Sequence, residues 1–265
     1  MRGYVSIFRA PKAGSTLAEY EDAATVGPPP VGEGDFGGRR LCAAVADGAS
    51  EAMLAGRWAR NLVTAFTAAP LSADLAAVLG EAVAAWDADV DSYLAERQAA
   101  GRPIHWYEEP GLARGAFATI LGMRLIDTVR TFSVEGRFDA WALGDACMFQ
   151  VRDDVLFAAF PIDDPAAFGS SPDLAASRPG DFSLVTQRIL HIRGLWRSGD
   201  VFYLATDALA QWFLAAVASG GQPWKPLGDL GTVDGPDDFQ SWVSERRAAG
   251  ELRNDDTTLL RIDVH

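Results

Sequence analysis

The 265-residue chain predicts an α+β fold, a sandwich of two sheets flanked by helices. Three observations carry that expectation. Apolar runs of strand length open and close the chain. Between them, residues 51–100 switch to helical periodicity. From Gly115 onward short strand-like runs follow one another with breaks too brief for crossover helices, which reads as an antiparallel meander rather than a βαβ series.

Taken in order, residues 3–9 alternate as a first strand, residues 11–20 form a loop, and Glu21–Val26 forms the next strand. Pro28-Pro29-Pro30 and the Gly-rich residues 32–38 mark an exposed turn region. Leu41–Ala46 is a short apolar run, consistent with a buried strand, and it ends at Asp47. A helix is expected from about Glu51 to Phe66, with Met53, Leu54, Trp58, Leu62 and Val63 on one stripe. Ser72 is a plausible N-cap for a second helix running to about Ala100. Gly101–Arg114 reads as a loop. The meander comprises Ala116–Leu125, Thr128–Val134, Phe138–Leu143, Cys147–Arg152 and Val155–Phe160, with Arg152-Asp153-Asp154 as a tight hairpin turn. Residues 161–197, dense in Pro, Asp and Ser, read as a flap with only short ordered pieces. Asp200–Ala205 is a strand leading to Thr206-Asp207, followed by a helix over Leu209–Val217, a Gly/Pro loop over 219–235, a helix over Pro236–Ala249 and a last strand over Thr257–Val264. No linker divides the chain, so residues 1–265 are expected to form one domain carrying the flap insertion.

Composition narrows the function. Hydrophobic residues make up 49%, enough for a sizeable core, and the formal net charge is −13. An acidic chain is a poor match for a nucleic-acid backbone or an anionic membrane surface, which both reward a basic face. Phosphorylated substrates stay open, because bound divalent cations invert the local field. The two cysteines, Cys42 and Cys147, lie in apolar runs and lack zinc-type spacing, which points to reduced thiols in a cytoplasmic protein. The first ten residues hold no long apolar segment of a secretory signal, and no stretch approaches the length of a membrane span.

Four acidic motifs carry the chemistry: Glu21-Asp22-Ala23, Val45-Ala46-Asp47-Gly48, Ala205-Thr206-Asp207 and Asn254-Asp255-Asp256-Thr257-Thr258. Each acid sits at the end of, or just beyond, a strand-like run, so a rigid element would hold it while it projects beyond the sheet. Converging carboxylates of this kind suit Mg²⁺ or Mn²⁺, which prefer oxygen ligands and keep waters. No serine stands in a nucleophile-elbow context.

These motifs, with Gly115-Ala116-Phe117-Ala118-Thr119-Ile120 and Ala142-Leu143-Gly144-Asp145-Ala146, stand in the order found in the metal-dependent 2C-type Ser/Thr protein phosphatases, and the chain resembles the bacterial branch of that family over nearly its full length. The resemblance implies a four-layer α-β-β-α sandwich of two antiparallel sheets, with a cleft for two Mg²⁺ or Mn²⁺ ions and in some members a third. It implies that Asp47 bridges both ions, that Gly48 offers its carbonyl, that Asp207 and Asp255 bind one ion, and that Asp22 orients a water or ligates indirectly. Asp145 has two readings, a hydrogen bond within its hairpin turn or a contribution to the third ion. Asp207 has the alternative reading of an N-cap for the helix that follows. The implied activity is removal of phosphate from phosphoserine or phosphothreonine in proteins, by a water activated by two metal ions. A phosphorylated protein substrate and a cognate Ser/Thr kinase are the implied partners, in a signalling role.

Four departures stand against the family pattern. Ser50-Glu51 replaces the usual pair of small residues, no His follows Asp47-Gly48, and Ala208 replaces a Gly after Asp207. No Arg precedes Glu21-Asp22 where relatives bind phosphate, and Lys12 is the nearest cation that could serve. Lys12 has the alternative reading of a solvated loop lysine. The alternative function is a catalytically weak or inactive phosphatase-like binding protein.

Overall fold

A computed structural model of the chain describes residues 1–27, 32–128, 135–169, 171–231 and 237–265. The strands in chain order are β1 (Arg2–Ala10), β2 (Ala23–Gly27), β3 (Gly34–Gly37), β4 (Arg40–Ala46), β5 (Phe117–Ala118), β6 (Ile120–Asp127), β7 (Glu135–Leu143), β8 (Cys147–Arg152), β9 (Val155–Phe160), β10 (Ala175–Ala176), β11 (Leu190–Arg197), β12 (Val201–Ala205) and β13 (Thr257–Val264). The helices are α1 (Ala55–Ala68), α2 (Leu75–Ala99), α3 (Glu109–Arg114), α4 (Phe182–Thr186), α5 (Asp207–Ala218), α6 (Trp224–Asp229) and α7 (Asp237–Ala248).

Two antiparallel sheets form the centre. One has the order β3-β1-β13-β12-β8-β9 and the other β11-β7-β6-β4-β2. Period-two alternation decides what each face meets. Leu41, Ala43 and Val45 of β4 join Leu204, Leu260 and Ile262 from the opposite sheet in the core between the sheets. Ala44 and Ala46 point the other way, where their small side chains let α1 lie close, and α1 buries Trp58, Ala59, Leu62, Val63 and Phe66 in return. On the far side, Phe149, Tyr203 and Leu259 pack against Phe213 of α5, Leu227 of α6 and Val243 of α7. The result is the four-layer α-β-β-α arrangement.

Several sequence expectations shift. The second helix is capped by Asp74, whose carboxylate accepts from the Ala77 amide at 2.9 Å, and not by Ser72. The Gly-rich segment after the prolines contains strand β3, and the loop after α2 contains the short helix α3. Part of the turn region, residues 28–31, and most of the expected strand over 128–134 lie outside the described residues. The largest correction concerns the flap. Its last eight residues are β11, which pairs with β7 from Glu135 to Ala142 and forms an edge of the second sheet. The pattern Ile192, Gly194, Trp196 facing inward is a strand pattern, and upstream Pro and Asp residues obscured it. The remainder holds two further anchors. β10 pairs with β5, and the Trp58 indole donates to the Ala175 carbonyl at 2.8 Å. Trp58 also meets Trp86 edge to face at 5.3 Å. Truncating Trp58 to Ala would therefore cost about 3–5 kcal/mol and loosen this anchor. No helix among the described residues is long and apolar enough to cross a membrane.

Candidate functional site

The carboxylates gather where four chain segments leave the sheets at one end of the sandwich. Asp47, Asp145, Asp207 and Asp255 line a cleft of about 660 Å³, together with Gly48, Ser50, Thr119 and Arg253. Asp47 follows β4 directly, and its backbone is locked to Thr119. The Thr119 amide donates to the Asp47 carbonyl at 2.8 Å, and the Asp47 amide donates to Thr119 Oγ1 at 3.3 Å. Gly48 is required sterically, because a Cβ there would stand 2.8 Å from both the Ala55 carbonyl carbon and the Glu21 carbonyl oxygen. This close approach brings β4, the start of α1 and the Glu21-Asp22 segment together. Asp145 stands in the β7–β8 hairpin beside Gly144, whose φ of 104° suits glycine.

Asp207 opens α5 as its first residue, and Thr206 occupies the N-cap position. The N-cap reading of Asp207 is therefore displaced by one residue. Asp207 keeps the favourable helix N-terminus for its charge, and one of its oxygens accepts from the Ala208 amide. Asp255 and Asp256 divide their work. Asp256 ties two loops together, accepting from the Lys12 amide and the Glu21 amide, each at 2.8 Å. Asp255 remains at the cleft, with its carbonyl held by Arg247.

Asp22 lies beneath the cleft and is 3% exposed. Its Oδ2 accepts from the hydroxyls of Thr206 and Thr258, both at 2.9 Å. Its Oδ1 is buried with no donor, and its side chain lies within hydrogen-bonding reach of Asp47.

The electrostatics follow from this crowding. Burial, then repulsion from Asp22, Asp207 and Asp255, pushes the Asp47 carboxyl well above the usual carboxylate range. Burial is also the main cause that lifts Asp22 to about 7 and Asp145 to about 6, with neighbouring carboxylates adding to both. Burial raises Asp207 as well, and Arg253 opposes that rise. The cleft thus concentrates negative charge that its own cations do not balance.

These residues fit Mg²⁺ or Mn²⁺ in kind: the acids are hard oxygen donors, and Asp22 Oδ1 and Asp145 Oδ1 are buried without partners. Among the described residues, no three Asp, Glu, His or Cys side chains stand as a ready-made metal cage. Part of the reason is visible. Asp207 is drawn to Arg253 at 2.6 Å, and Asp255 Oδ1 accepts from the Asp256 amide at 2.9 Å. Mg²⁺-type ions keep several waters and need only one or two protein carboxylates each, so a loose acidic cleft suits them.

Two cations border the site. Lys12 Nζ reaches Ser50 Oγ at 3.2 Å and Glu21 Oε2 at 3.8 Å, which puts it beside the cleft rather than in its lining. Arg253 lines the cleft itself, and sequence reasoning missed it. Its one signal was its position two residues before Asp255. The departures Ser50 and Glu51 also line the cleft, and Ala208 is buried beneath Asp207. Tyr20, Thr206 and Thr258 were likewise not singled out for their side chains.

No protein-family model matches the sequence. No curated protein matches it significantly. Solved structures do match in fold. The chain aligns with the Mycobacterium tuberculosis serine/threonine phosphatase PstP at 15% identity, covering all of both chains with a TM-score of 0.54. The catalytic domain of PstP in complex with two manganese ions matches at 16% identity, covering 100% of this chain and 99% of that one, with a TM-score of 0.51. The photosystem II phosphatase PBCP matches at 14% identity, covering 99% of each chain, also with a TM-score of 0.51. The fold is the one shared by 2C-type Ser/Thr phosphatases, bacterial ones included.

Proposed function

We propose that the protein is a metal-dependent phosphomonoesterase that removes phosphate from phosphoserine or phosphothreonine in proteins. The observation that carries the reading is the meeting of Asp47, Asp145, Asp207 and Asp255, from four separate segments, in one cleft backed by buried Asp22. The shared fold of solved phosphatases supports it. Asp47, Asp207 and Asp255, with the Gly48 carbonyl, would hold two Mg²⁺ or Mn²⁺ ions, and Asp145 stands where it could serve a third. When bound, such ions acidify water and neutralise phosphoryl oxygens.

The chain's own residues supply the rest. Thr119 fixes the Asp47 backbone, and Asp22 supports the Asp47 side chain from below. Arg253 and Lys12 provide positive charge on two sides of the cleft, Arg253 with a planar fork suited to a phosphate and Lys12 as a point charge. A phosphorylated protein and its kinase are the natural partners of such an activity. Two buried free thiols, Cys42 and Cys147, support a reducing, cytoplasmic setting. The test is Mn²⁺-dependent hydrolysis of p-nitrophenyl phosphate and of a phosphothreonine peptide. Turnover that survives excess chelator would overturn the reading.

A second reading rests on a specific contact. The Arg253–Asp207 ion pair already satisfies one expected ligand, and Ser50-Glu51 crowd the same cleft. A phosphatase-like protein that binds a phosphoprotein without turning it over would show phosphopeptide binding with no hydrolysis in the same assays.

A further inference from the structure

We infer that Thr206 and Thr258, with Tyr20 behind Thr258, are positioning residues that hold the Asp22 carboxylate in one orientation beneath the metal cleft. The inference rests on the metal-dependent reading above and assigns to three hydroxyls a role that the acidic motifs alone do not carry.

The proton directions carry the argument. The Thr258 amide donates to Thr206 Oγ1 at 2.9 Å, so the Thr206 hydroxyl proton is free to point elsewhere, and it points at Asp22 Oδ2 at 2.9 Å. Thr258 Oγ1 donates to that same oxygen at 2.9 Å and meets the Tyr20 hydroxyl on its other side. Each hydroxyl has one proton. With the Thr258 proton on Asp22, the Tyr20 hydroxyl has three acceptors around it: Thr258 Oγ1, the Thr257 carbonyl at 3.0 Å and Asp22 Oδ2 at 3.5 Å. Three hydroxyls therefore gather around Asp22 Oδ2, and the two threonines donate to it directly. Such chains polarise one another, and in a dry interior each link is stronger than in water.

The other half of the carboxylate is treated differently. Asp22 Oδ1 is buried without a donor, and the side chain lies within reach of Asp47. A carboxylate held by two hydroxyls on one oxygen cannot rotate without breaking both bonds, so its second oxygen faces a fixed direction. The anchoring elements are rigid. Thr206 stands at the N-cap position of α5 just after β12, Thr258 lies in β13, and the Thr206 amide donates to the Thr258 carbonyl at 3.2 Å. Tyr20, Thr206 and Thr258 are all buried. Partners that orient a metal-binding carboxylate without touching the ion are worth roughly 10–100-fold in metal affinity.

The experiment is calorimetric titration of Mn²⁺ into the full-length protein, with thermal melting in chelator as the folding control. Thr258→Val and Thr206→Val should each weaken Mn²⁺ binding by roughly 10-fold or more, whereas Thr258→Ser, which keeps the hydroxyl, should restore wild-type affinity. Tyr20→Phe should have a smaller effect. The effect of Thr258→Val should vanish when Asp22 is already Asn, since neighbours that act through one another are not additive. Should Thr258→Val fail to fold, Thr206→Val and Tyr20→Phe decide the matter. Unchanged Mn²⁺ affinity in folded Thr→Val variants would overturn the inference, as would equal weakening with and without the Asp22 carboxylate. Absence of Mn²⁺ binding by the wild-type protein would overturn the underlying metal reading instead. For turnover, a fall in kcat with KM for aryl phosphate unchanged is expected.

Discussion

Strand β12 carries a buried aspartate region at each end, and the two ends are built to opposite rules. Before the strand stands Asp200, fully buried. It accepts from the Gln150 side-chain amide at 2.8 Å, from Arg152 Nε and Nη2 at 2.7 Å each, and from the Arg197 amide at 2.9 Å. After the strand stand Thr206 and Asp207, leading to the cleft where Asp22 and Asp145 are buried and Asp47 and Asp207 are partly buried. There the acids face one another, and two of their oxygens have no donor. At the first end a buried charge is matched by a guanidinium fork and further donors, which is how an interior carboxylate normally survives. At the second end the match is partial: Arg253 faces Asp207 and two hydroxyls face Asp22, while Asp22 Oδ1 and Asp145 Oδ1 have no donor. Such an arrangement suits completion by something from outside, so the contrast supports the proposal that the cleft is the site of function and the Asp200 cluster architecture.

The sharpest way to break this contrast is to neutralise one acid at each end. Asp200→Asn should destabilise the protein by about 3–5 kcal/mol, since it removes the charge that Arg152 was built around. Asp47→Asn should do the reverse in chelator, raising the melting temperature by relieving repulsion among buried like charges, while phosphatase turnover disappears. Asp207→Asn should lose turnover too, with a smaller stability gain because Arg253 already offsets that charge. Denaturant unfolding in chelator, beside Mn²⁺-dependent hydrolysis, checks all three. If Asp47→Asn destabilises as Asp200→Asn does, the two ends are alike and the cleft is architecture as well.

Metal should act on one end only. Saturating Mn²⁺ stabilises the folded state by linkage, by about 2.7 kcal/mol at a hundredfold excess over Kd. Melting curves with and without Mn²⁺ should show this shift in the wild type and in Asp200→Asn, and lose it in Asp47→Asn. A shift that persists in Asp47→Asn would assign the ion elsewhere.

The pH dependence sharpens the comparison further. Burial and neighbouring carboxylates lift Asp22 to about 7 and Asp145 to about 6 in the folded protein, against an ordinary Asp value of 3.8. A folded-state value above the unfolded one means that the folded state binds the proton more tightly. The stabilisation from these groups is full below the unfolded value and is lost as pH rises through about 6 to 7. In chelator, stability should therefore climb as pH falls from 8 toward 5, by on the order of a few kcal/mol. Asp47→Asn should flatten the climb, and saturating Mn²⁺ should reverse it, because ions compete with protons. A flat profile for the wild type in chelator would contradict the crowding.

How much of this was legible in the sequence differs between the two ends in a physical way. Asp47 and Asp207 were readable because each follows an apolar run, and Asp255 because it stands just before one; strand ends project the residues beside them beyond a sheet. The network around Asp22 was not, because Tyr20, Thr206 and Thr258 read as ordinary loop and strand residues until β12 and β13 pair and bring two hydroxyls to one oxygen. Arg253 was missed for a similar reason: its partner Asp207 lies in a distant segment. The Asp200 cluster draws on two strands, β8 and β11, and a turn, with no local signal. The two sheets and the helix pair followed from periodicity, whereas β3 and β11 were hidden by Gly in one case and by preceding Pro and Asp residues in the other.

The smallest effect expected concerns substrate choice. Leu174 borders the cleft, and with Phe117, Ala49 and Ala52 it forms the apolar part of a small hollow of about 260 Å³ beside it, which Glu51 and Arg114 also line. It stands directly before β10, which the Trp58 indole and the β5 ladder anchor, so the hollow has a firm wall. An aryl phosphate needs little beyond the ions and the cationic rim. A peptide has flanking side chains to place, and an apolar one set against Leu174 would gain about 1–3 kcal/mol from the contact. Leu174→Ser should therefore lower kcat/KM on a phosphopeptide with an apolar neighbour several-fold while leaving p-nitrophenyl phosphate hydrolysis, Mn²⁺ affinity and the melting temperature nearly unchanged. Paired kinetics on the two substrates test this. An equal fall on both would mean that this wall supports the acidic cleft itself, and that the boundary between architecture and function runs further from the acids than the two ends of β12 suggest.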